Sequence, residues 1–186
     1  MTVEESGLIG WSPAPLGGPG RIRPVVTAPD PMLARSCRTV DPTTDEVIRL
    51  AADLVTTMRV SPGCVGLAAP QIGVGVRVFA LDVTGHPKAL TVHGTIVLCN
   101  AEIVEATRWR KGREGCMSVP DLTGDVKRAT RLRVEAVLPG TGERVCLSTD
   151  GFEARALQHE IDHCAGLLFL DRVADAHAIY QRQVYL

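Results

Sequence analysis

The sequence predicts an α+β fold, in which mainly antiparallel sheets pack around one central helix near the C-terminal end. Three observations support this prediction. An amphipathic helical pattern comes first, over residues 43–60, and a second helical run covers residues 150–166. Between the two, apolar residues alternate in several runs that are typical of strands. One helix, several strands and one late helix is the order expected of an α+β protein.

Length and composition indicate one globular domain. The chain of 186 residues is long enough for a sizeable core, and its 45% hydrophobic and 22% charged content is ordinary for a soluble protein. Aromatic residues make up only 4%, so we expect the core to consist of Val, Leu, Ile and Ala. Residues 1–20 are rich in Gly, Pro and Ser and are predicted to form a flexible arm, and residues 21–186 the single domain.

Charge and hydropathy argue against several function classes. The formal net charge is −1 and opposite charges are interspersed, which gives no basis for binding to nucleic acid or to an anionic membrane. Apolar runs such as Val76–Leu81 are too short to span a bilayer. The N-terminus, with Glu4 and Glu5, lacks the pattern of a signal peptide. We therefore expect a cytoplasmic protein whose six cysteines are reduced thiols.

The first helix is predicted from a capping pair and an apolar stripe. Thr43 and Glu46 have the spacing of a capping box, and Ser61-Pro62-Gly63 ends the helix. Apolar residues recur at helical spacing and are expected to face the core: Val47, Leu50, Ala51, Leu54 and Met58.

A loop and four strands are predicted next. The stretch Cys64–Gly73 is dense in small residues, which let a backbone bend tightly, and by itself it indicates a tight loop. Residues 74–83 and 95–106 alternate in hydrophobicity, and residues 131–138 and 144–147 form a hairpin. Residues 113–120 lie between the strands and end at Pro120.

The late helix carries the residues that suggest chemistry. Asp150 and Glu153 have the spacing of a capping box, and Gly166 is a natural end. His159 and His163 are one turn apart, so they share a face of the helix.

Two imidazoles at this spacing can hold one metal ion, and Glu160 beside them can exchange protons with a water molecule on the ion. The alternative is a solvated helix face with ordinary histidines. The predicted architecture is thus a sheet around a central metal-binding helix. Cys116, next to Gly115, is the best candidate for a third ligand, although a small buried cysteine is the more usual fate of such a residue.

Three segments together resemble the peptide deformylase family. Its motifs have the form Gly-x-Gly-Leu-Ala-Ala-x-Gln, Glu-Gly-Cys-x-Ser and Gln-His-Glu-x-Asp-His. They occur here in that order as residues 64–71, 114–118 and 158–163. Residues 23–31 and 166–171 are similar to the flanking segments of the family, so the resemblance covers residues 20–173.

The resemblance implies a metal-dependent hydrolase that removes the N-formyl group from the N-terminal formyl-methionine of newly synthesised proteins and releases formate. Cys116, His159 and His163 would hold the metal and leave its fourth position for water. Glu160 would take a proton from that water and return it to the departing amine.

The resemblance also implies residues that contact the substrate. The Gln71 amide and the backbone N–H of Met117 would donate hydrogen bonds to the oxyanion. Gly115 and the 64–66 segment would receive the peptide backbone as an added strand. Three further side chains would line the methionine pocket, although each is equally compatible with the core: Val65, Phe152 and Ala156.

The ligand types suit Zn²⁺, Fe²⁺, Co²⁺ or Ni²⁺, and the resemblance alone points to Fe²⁺, one ion per chain. The expected partners are formyl-methionyl nascent peptides, met transiently at the ribosome exit, with no direct binding to nucleic acid and no membrane.

Two positions depart from the family pattern. Cys64 stands where the first Gly is usual, and Cys164 follows His163 where Leu is usual. Cys64 is expected to narrow the substrate groove, and the alternatives are a fourth metal ligand or a disulfide with Cys116.

Other functions stay open at this point. A metalloprotease would use the same His-Glu-x-x-His, with His177 as the only downstream histidine left for its third ligand. A paralogue could bind nascent chains without turnover, although binding alone does not require Glu160 and Gln71. The same chemistry could also act on another formyl-amine.

Overall fold

The structure is a computed structural model that describes residues 19–173 and 176–183. The predicted arm over residues 1–20 lies almost entirely outside the described residues. The described part contains two α-helices, α1 (Asp45–Val60) and α2 (Gly151–Cys164). Its six strands are β1 (Gly66–Ala68), β2 (Val78–Leu81), β3 (Ile96–Cys116), β4 (Val119–Val137), β5 (Arg144–Asp150) and β6 (Ile179–Gln181).

The strands form one six-stranded sheet in the order β1-β2-β3-β4-β5, and β6 pairs with β4. Each of these pairs is antiparallel. The helix α2 packs against β1, β2, β4 and β5, and is thus surrounded by the sheet. The predicted α+β class with an antiparallel sheet around a late central helix is confirmed.

The helix α1 forms as its apolar stripe predicts, with one correction at its start. All five predicted core residues are buried. The N-cap is Thr44, whose hydroxyl accepts a hydrogen bond from the Val47 N–H at 3.4 Å. Thr43 bonds Asp41 instead, so the predicted cap was one residue too early. The helix ends at the predicted place, with Ser61 as C-cap.

The segment after α1 is more regular than the predicted loop. Residues Gly66–Ala68 form β1, paired with β2, and Ala69–Ile72 form a 3-10 turn. The prediction was wrong because small residues that permit a tight loop also fit a short strand buried under another element.

The strand predicted over residues 95–106 is longer in the structure, where β3 extends to Cys116 and forms a hairpin with β4. Its register continues to the pair Cys116↔Val119, with Met117 and Ser118 in the turn. The interval 113–120, which was predicted to lie between strands, is therefore the closed end of this hairpin. The predicted strand over residues 74–83 shortens to Val78–Leu81.

The helix α2 ends as predicted but begins differently. Its Asp150 is the N-cap by position, yet its side chain makes no capping bond and accepts from Thr91 instead. Glu153 points into the core, so the predicted capping box was wrong. At the other end Gly166 has φ +77°, and the Leu167 N–H donates to the Asp162 carbonyl at 2.9 Å, which is a Schellman cap.

The two helices bury separate apolar clusters. One cluster joins α1 to β1, β2 and the start of β3, and the other joins α2 to residues of all five strands from β1 to β5. No helix in the described ranges is both long enough and apolar enough to cross a membrane. All six cysteines lie in the described part and are free thiols, as predicted.

Candidate metal centre and substrate groove

The predicted ligands come together where α2 meets the closed end of the β3–β4 hairpin. Three donor atoms lie within 4.8 Å of one another, one each from Cys116, His159 and His163. The Cys116 Sγ is 3.3 Å from the His163 Nε2. Their convergence follows from helical spacing for the two histidines and from the hairpin register for the cysteine.

This donor set fits a metal ion. The distance from Cys116 Sγ to His163 Nε2 lets both atoms reach one ion through bonds of about 2.0–2.3 Å. His163 is 1% exposed, and burial lowers its pKa, which favours the neutral imidazole that binds metals. One sulfur and two nitrogens form a three-ligand set of the kind that leaves a position for substrate or water.

A buried ion network orients His159. Its Nδ1 lies 3.0 Å from the Glu114 Oε2. Both carboxylate oxygens of Glu114 accept from the Arg128 guanidinium at 3.0 Å, and Oε1 also accepts from Arg155 at 2.7 Å. Burial raises the pKa of Glu114, but hydrogen bonds from His159 and Arg128 overcome this effect and lower the pKa to about 2. Glu114 is thus an anion that fixes the ring of a candidate ligand.

The network extends through Arg128 to Asp162 on α2. The Arg128 guanidinium contacts the Asp162 carboxylate, which also accepts from Arg172 at 2.6 Å. The role of Glu114 and Asp162 in this network was not predicted, although both belong to the sequence motifs. Their partners come from a distant strand and from the segment after α2, which the sequence does not connect.

Glu160 lies beside the ligand cluster, and its carboxylate is held against β1. It is 4% exposed, and its Oε2 has no hydrogen-bond partner in the described part of the chain. Burial raises its pKa to about 7. A β-carbon added to Gly66 would lie 2.8 Å from the Glu160 Cδ, so the glycine makes room for this carboxylate.

Gln71 reaches the same cluster from the 3-10 turn. Its Nε2 donates to the Cys116 Sγ at 3.4 Å and to the Ser118 Oγ at 3.2 Å. Its Oε1 accepts from the Ala68 N–H at 2.9 Å, which fixes the orientation of the amide. Gln71 is 2% exposed, so an amide N–H donor is presented at the candidate metal centre from inside the protein.

A groove of about 600 Å³ opens over these residues. Every predicted substrate-contacting residue lines it, together with the candidate catalytic ones: Val65, Gly66, Gln71, Gly115, Met117, Phe152, Ala156 and Glu160. Cys116 and His159 are also at its surface, whereas His163 lies beneath. The predicted site residues thus form one continuous site.

Four groove-lining cations and one aromatic stack were missed by the sequence analysis. The His86 ring stacks on Phe152, with ring centroids 3.7 Å apart and planes at 3°. The cations are Lys88, Arg113, Arg155 and Arg182. Lys88 and Arg182 come from segments without a sequence motif, whereas Arg113 and Arg155 lie beside or on motif-bearing elements but outside the motifs themselves.

Cys64 also lines the groove but does not join the metal cluster. Its thiol donates to the Gly66 carbonyl at 3.1 Å. Burial, together with the negative charge of Glu160, raises its pKa to about 12. The thiol therefore lies at the groove beside β1, and the expected narrowing of the substrate path stays a prediction.

Known proteins are similar to this chain in sequence and in fold. The family model described as Polypeptide deformylase matches residues 22–178. The peptide deformylase of Desulforudis audaxviator is 45% identical over 160 residues, which are 86% of this chain and 96% of the relative. That of Carboxydothermus hydrogenoformans is 40% identical over 148 residues, 80% of this chain and 91% of the relative.

Solved structures agree. Peptide deformylase from Thermus thermophilus superposes with a TM-score of 0.73 at 38% identity, over 82% of this chain and 86% of that one. The Acinetobacter baumannii enzyme with Met-Ala-Ser bound superposes with a TM-score of 0.75 at 32% identity, over 82% of this chain and 100% of that one. Because similarity spans the hairpin end, the 3-10 turn and α2, this chain belongs to the peptide deformylase family, whose members remove the N-formyl group from nascent peptides.

Proposed function

We propose that Cys116, His159 and His163 hold one catalytic divalent metal ion, and that Glu160 carries the proton during deformylation. The observation that supports this most directly is the convergence of three donor atoms within 4.8 Å beside a buried carboxylate. A metal bound there would lower the pKa of a water molecule and polarise the formyl carbonyl. We further propose Fe²⁺ as the native ion, because the family resemblance points to it and the ligand types accept it.

Glu160 is the proton carrier in this proposal. It accepts the proton from the water that attacks the formyl carbon and then delivers it to the departing amine. Its Oε2, without a partner in the described residues, remains available for both transfers. Gly66 leaves room for the carboxylate, since a side chain there would displace it.

Gln71 and Met117 stabilise the oxyanion that forms when the formyl carbon becomes tetrahedral. The Gln71 Nε2 lies at the ligand Cys116, and the turn places Met117 directly after that ligand at the groove. Donors fixed before the reaction lower the barrier without reorganisation, and the loss of one typically costs about 3 kcal/mol.

The peptide binds as an added strand along the groove. Within the described residues, β1 pairs with no strand other than β2, and the end of β3 with no strand other than β4, so the opposite edge of each carries no paired strand. Gly66 and Gly115 lie on these edges and offer backbone groups. The side chains of Val65, Phe152 and Ala156 line the methionine pocket. The related Acinetobacter baumannii enzyme has been solved with Met-Ala-Ser bound, which supports a short methionyl peptide as the ligand of this groove.

The physiological substrates are formyl-methionyl nascent peptides, which the protein meets transiently at the ribosome exit in the cytoplasm. The near-neutral net charge of −1 supports a reaction with the peptide alone, without direct binding to nucleic acid.

The test is anaerobic formate release from formyl-Met-Ala-Ser, combined with metal analysis of the same protein. We expect one metal per chain and release of formate, with no cleavage of unformylated peptides. The Cys116→Ala variant should lose both metal and activity, because three protein ligands leave no redundancy. Cys146→Ala is the matched control, since that thiol lies on β5 and outside the groove.

A Cys116→Ala protein that still holds one tightly bound metal per chain would contradict the ligand assignment. Cleavage of unformylated peptides would instead indicate a metalloprotease.

A further inference from the structure

Arg182 reaches the substrate groove from the C-terminal strand. The strand β6 pairs with residues Leu122–Gly124 of β4, and the Arg182 N–H donates to the Asp121 carbonyl at 2.8 Å. Its side chain crosses towards β3, where Nη2 donates to the Cys116 carbonyl at 3.2 Å. The guanidinium therefore lies next to the backbone of a candidate metal ligand.

Because Gly115 has no side chain, the Arg182 guanidinium can lie beside the backbone of residues 115 and 116. A β-carbon built on Gly115 would overlap the Arg182 Nη2 and lie 3.3 Å from its Cζ. Gly115 is also the residue that we assign to the peptide backbone. A peptide paired with this edge would therefore pass directly beside a cation.

The charge of Arg182 has no acidic partner among the residues that the structure describes. The other two arginines of the groove differ in this respect, since Arg113 pairs with Asp125 and Arg155 with Glu114. The acidic residues that line the groove, Glu114 and Glu160, are both buried. In the described chain the exposed rim of the groove is therefore cationic.

From these observations we infer that Arg182 is a specificity-determining residue that favours formylated peptides with a carboxylate in the first residues after methionine. This inference rests on the proposed function of the groove. The guanidinium is planar and presents paired donors, which suits a carboxylate acceptor. The carboxylate belongs to an Asp or Glu side chain, because the C-terminus of a nascent chain is far from its formyl group.

The expected effect is modest because the pair is exposed to solvent. Exposed ion pairs contribute little, so we expect kcat/KM to be about threefold to fivefold higher for an acidic peptide than for its amide isostere. The difference should appear in KM and should decline at high salt, because screening weakens exposed pairs.

The experiment compares isosteric peptides in one protein. Formyl-Met-Asp-Ala-amide is compared with formyl-Met-Asn-Ala-amide, and formyl-Met-Ala-Asp-amide with formyl-Met-Ala-Asn-amide, at low and high salt. Amidation removes the C-terminal carboxylate, and a parallel series with free C-termini measures its contribution. Competition binding of the deformylated products gives a readout that is independent of turnover.

Variants then assign the preference. We expect Arg182→Gln to lower the Asp/Asn ratio to about one, and Arg182→Glu to favour Lys over Asn at the same position. Arg144→Gln, which removes an exposed positive charge from β5 outside the groove, should keep the full ratio. Each ratio is measured within one protein, so a loss of folded molecules affects both peptides equally.

Equal rates for acidic and amide peptides in the unmodified protein would overturn the inference, as would an Asp preference that persists in Arg182→Gln. A preference confined to peptides with free C-termini would overturn the side-chain assignment. In each of these outcomes formate is still released, whereas no release from any peptide would contradict the proposed function itself.

Discussion

The two helices of this protein are buried in opposite ways. The helix α1 buries an apolar face, in which Thr57 is the only buried polar residue. The helix α2 buries several polar and charged side chains among its apolar ones: Glu153, Gln158, Glu160, Asp162 and His163. Buried charge is costly unless it is paired, so the second helix needs an explanation that the first does not.

Most of the buried polar groups of α2 have partners in the fold. Gln158 bonds both backbone groups of Ala129, Asp162 pairs with Arg128 and Arg172, and Glu153 contacts His93. Two buried atoms in the described part have none, the Glu160 Oε2 and the His163 Nδ1. The buried residues of α1 can therefore be accounted for by their contribution to stability alone. Some buried residues of α2 cannot, and we attribute their presence to catalysis.

The largest effect should come from the unpartnered carboxylate. We expect Glu160→Gln to lower kcat by roughly 10²–10⁴-fold, because the amide cannot carry the proton. Metal content should stay at one per chain, and the unfolding temperature should not fall, because a buried group without a partner contributes little to stability. The measurements are anaerobic turnover, metal analysis and thermal unfolding.

Glu46→Gln is the matched control, since Glu46 is an exposed carboxylate on α1 and its replacement should leave turnover unchanged. If Glu160→Gln kept near-normal kcat, the unpartnered carboxylate of α2 would not be catalytic, and this explanation of the difference between the helices would be wrong.

The converse change is a cavity in α1. Leu54 is 0% exposed, and Leu54→Ala should lower the free energy of unfolding by about 2–5 kcal/mol through lost burial and an unfilled cavity. Turnover per folded molecule should be unchanged, because α1 contributes no residue to the ligand cluster. Denaturant unfolding and active-site-normalised kcat separate the two effects.

Leu90→Ala provides the reference, since this side chain is 80% exposed and its loss should change stability by less than about 0.5 kcal/mol. A Leu54→Ala protein with normal stability and reduced metal content would reverse the expected division between the helices.

A third change tests whether the 3-10 turn belongs with the chemistry of α2. Gln71→Leu should reduce kcat/KM by about a hundredfold, because it removes an oxyanion donor, and should leave metal content unchanged. Ser118→Ala removes only a partner of the Gln71 amide and should have a much smaller effect. If both variants lost activity and stability equally, Gln71 would be structural.

Features that depend on residues close together in the sequence could be predicted, and features that depend on contacts between distant segments could not. The apolar stripe of α1 and the cluster of His159, Glu160 and His163 follow from helical periodicity, which is local. The sequence by itself made Cys116 the best candidate for a third ligand, but a small buried cysteine stayed open until the family resemblance, because its contact with α2 depends on the hairpin register. The full length of β3 could not be predicted, since nearly all of residues 107–113 are exposed and show no apolar alternation.

Contacts between distant segments explain the remaining differences. Glu153 has the spacing of a cap residue, but its partner His93 is 60 residues away in the sequence. The hydrogen bond between them holds the carboxylate in the core instead of at the start of the helix. Arg182 enters the groove only because β6 pairs with β4. In each case a tertiary partner decides the position of a side chain whose local pattern is neutral or misleading.

The smallest predicted effect concerns this pair of Glu153 and His93. The His93 Nδ1 lies 2.6 Å from the Glu153 Oε2, and the His93 N–H donates to Oε1 at 2.8 Å. The hydrogen bond with Glu153 raises the pKa of His93 above its usual 6.5. Burial raises the pKa of Glu153, but hydrogen bonds from His93 and Thr149 overcome this effect and hold it below its usual 4.5.

The sign of each shift sets a pH window. The raised pKa of His93 stabilises the fold fully below pH 6.5, and this contribution is lost as the pH rises through the folded-state pKa. The lowered pKa of Glu153 stabilises the fold above pH 4.5, and this contribution is lost as the pH falls through its folded-state pKa. The coupling between the two side chains should therefore be largest between pH 4.5 and 6.5.

A double-mutant cycle of His93→Gln and Glu153→Gln measures this coupling by urea unfolding. We expect about 1.5 kcal/mol inside the window and a smaller value at alkaline pH, where His93 is neutral and only an uncharged hydrogen bond remains. A coupling energy that is the same at both pH values would mean that the pair is not ionic. Glu153 would then be buried without charge compensation, and α2 would have a third polar group that stability does not explain.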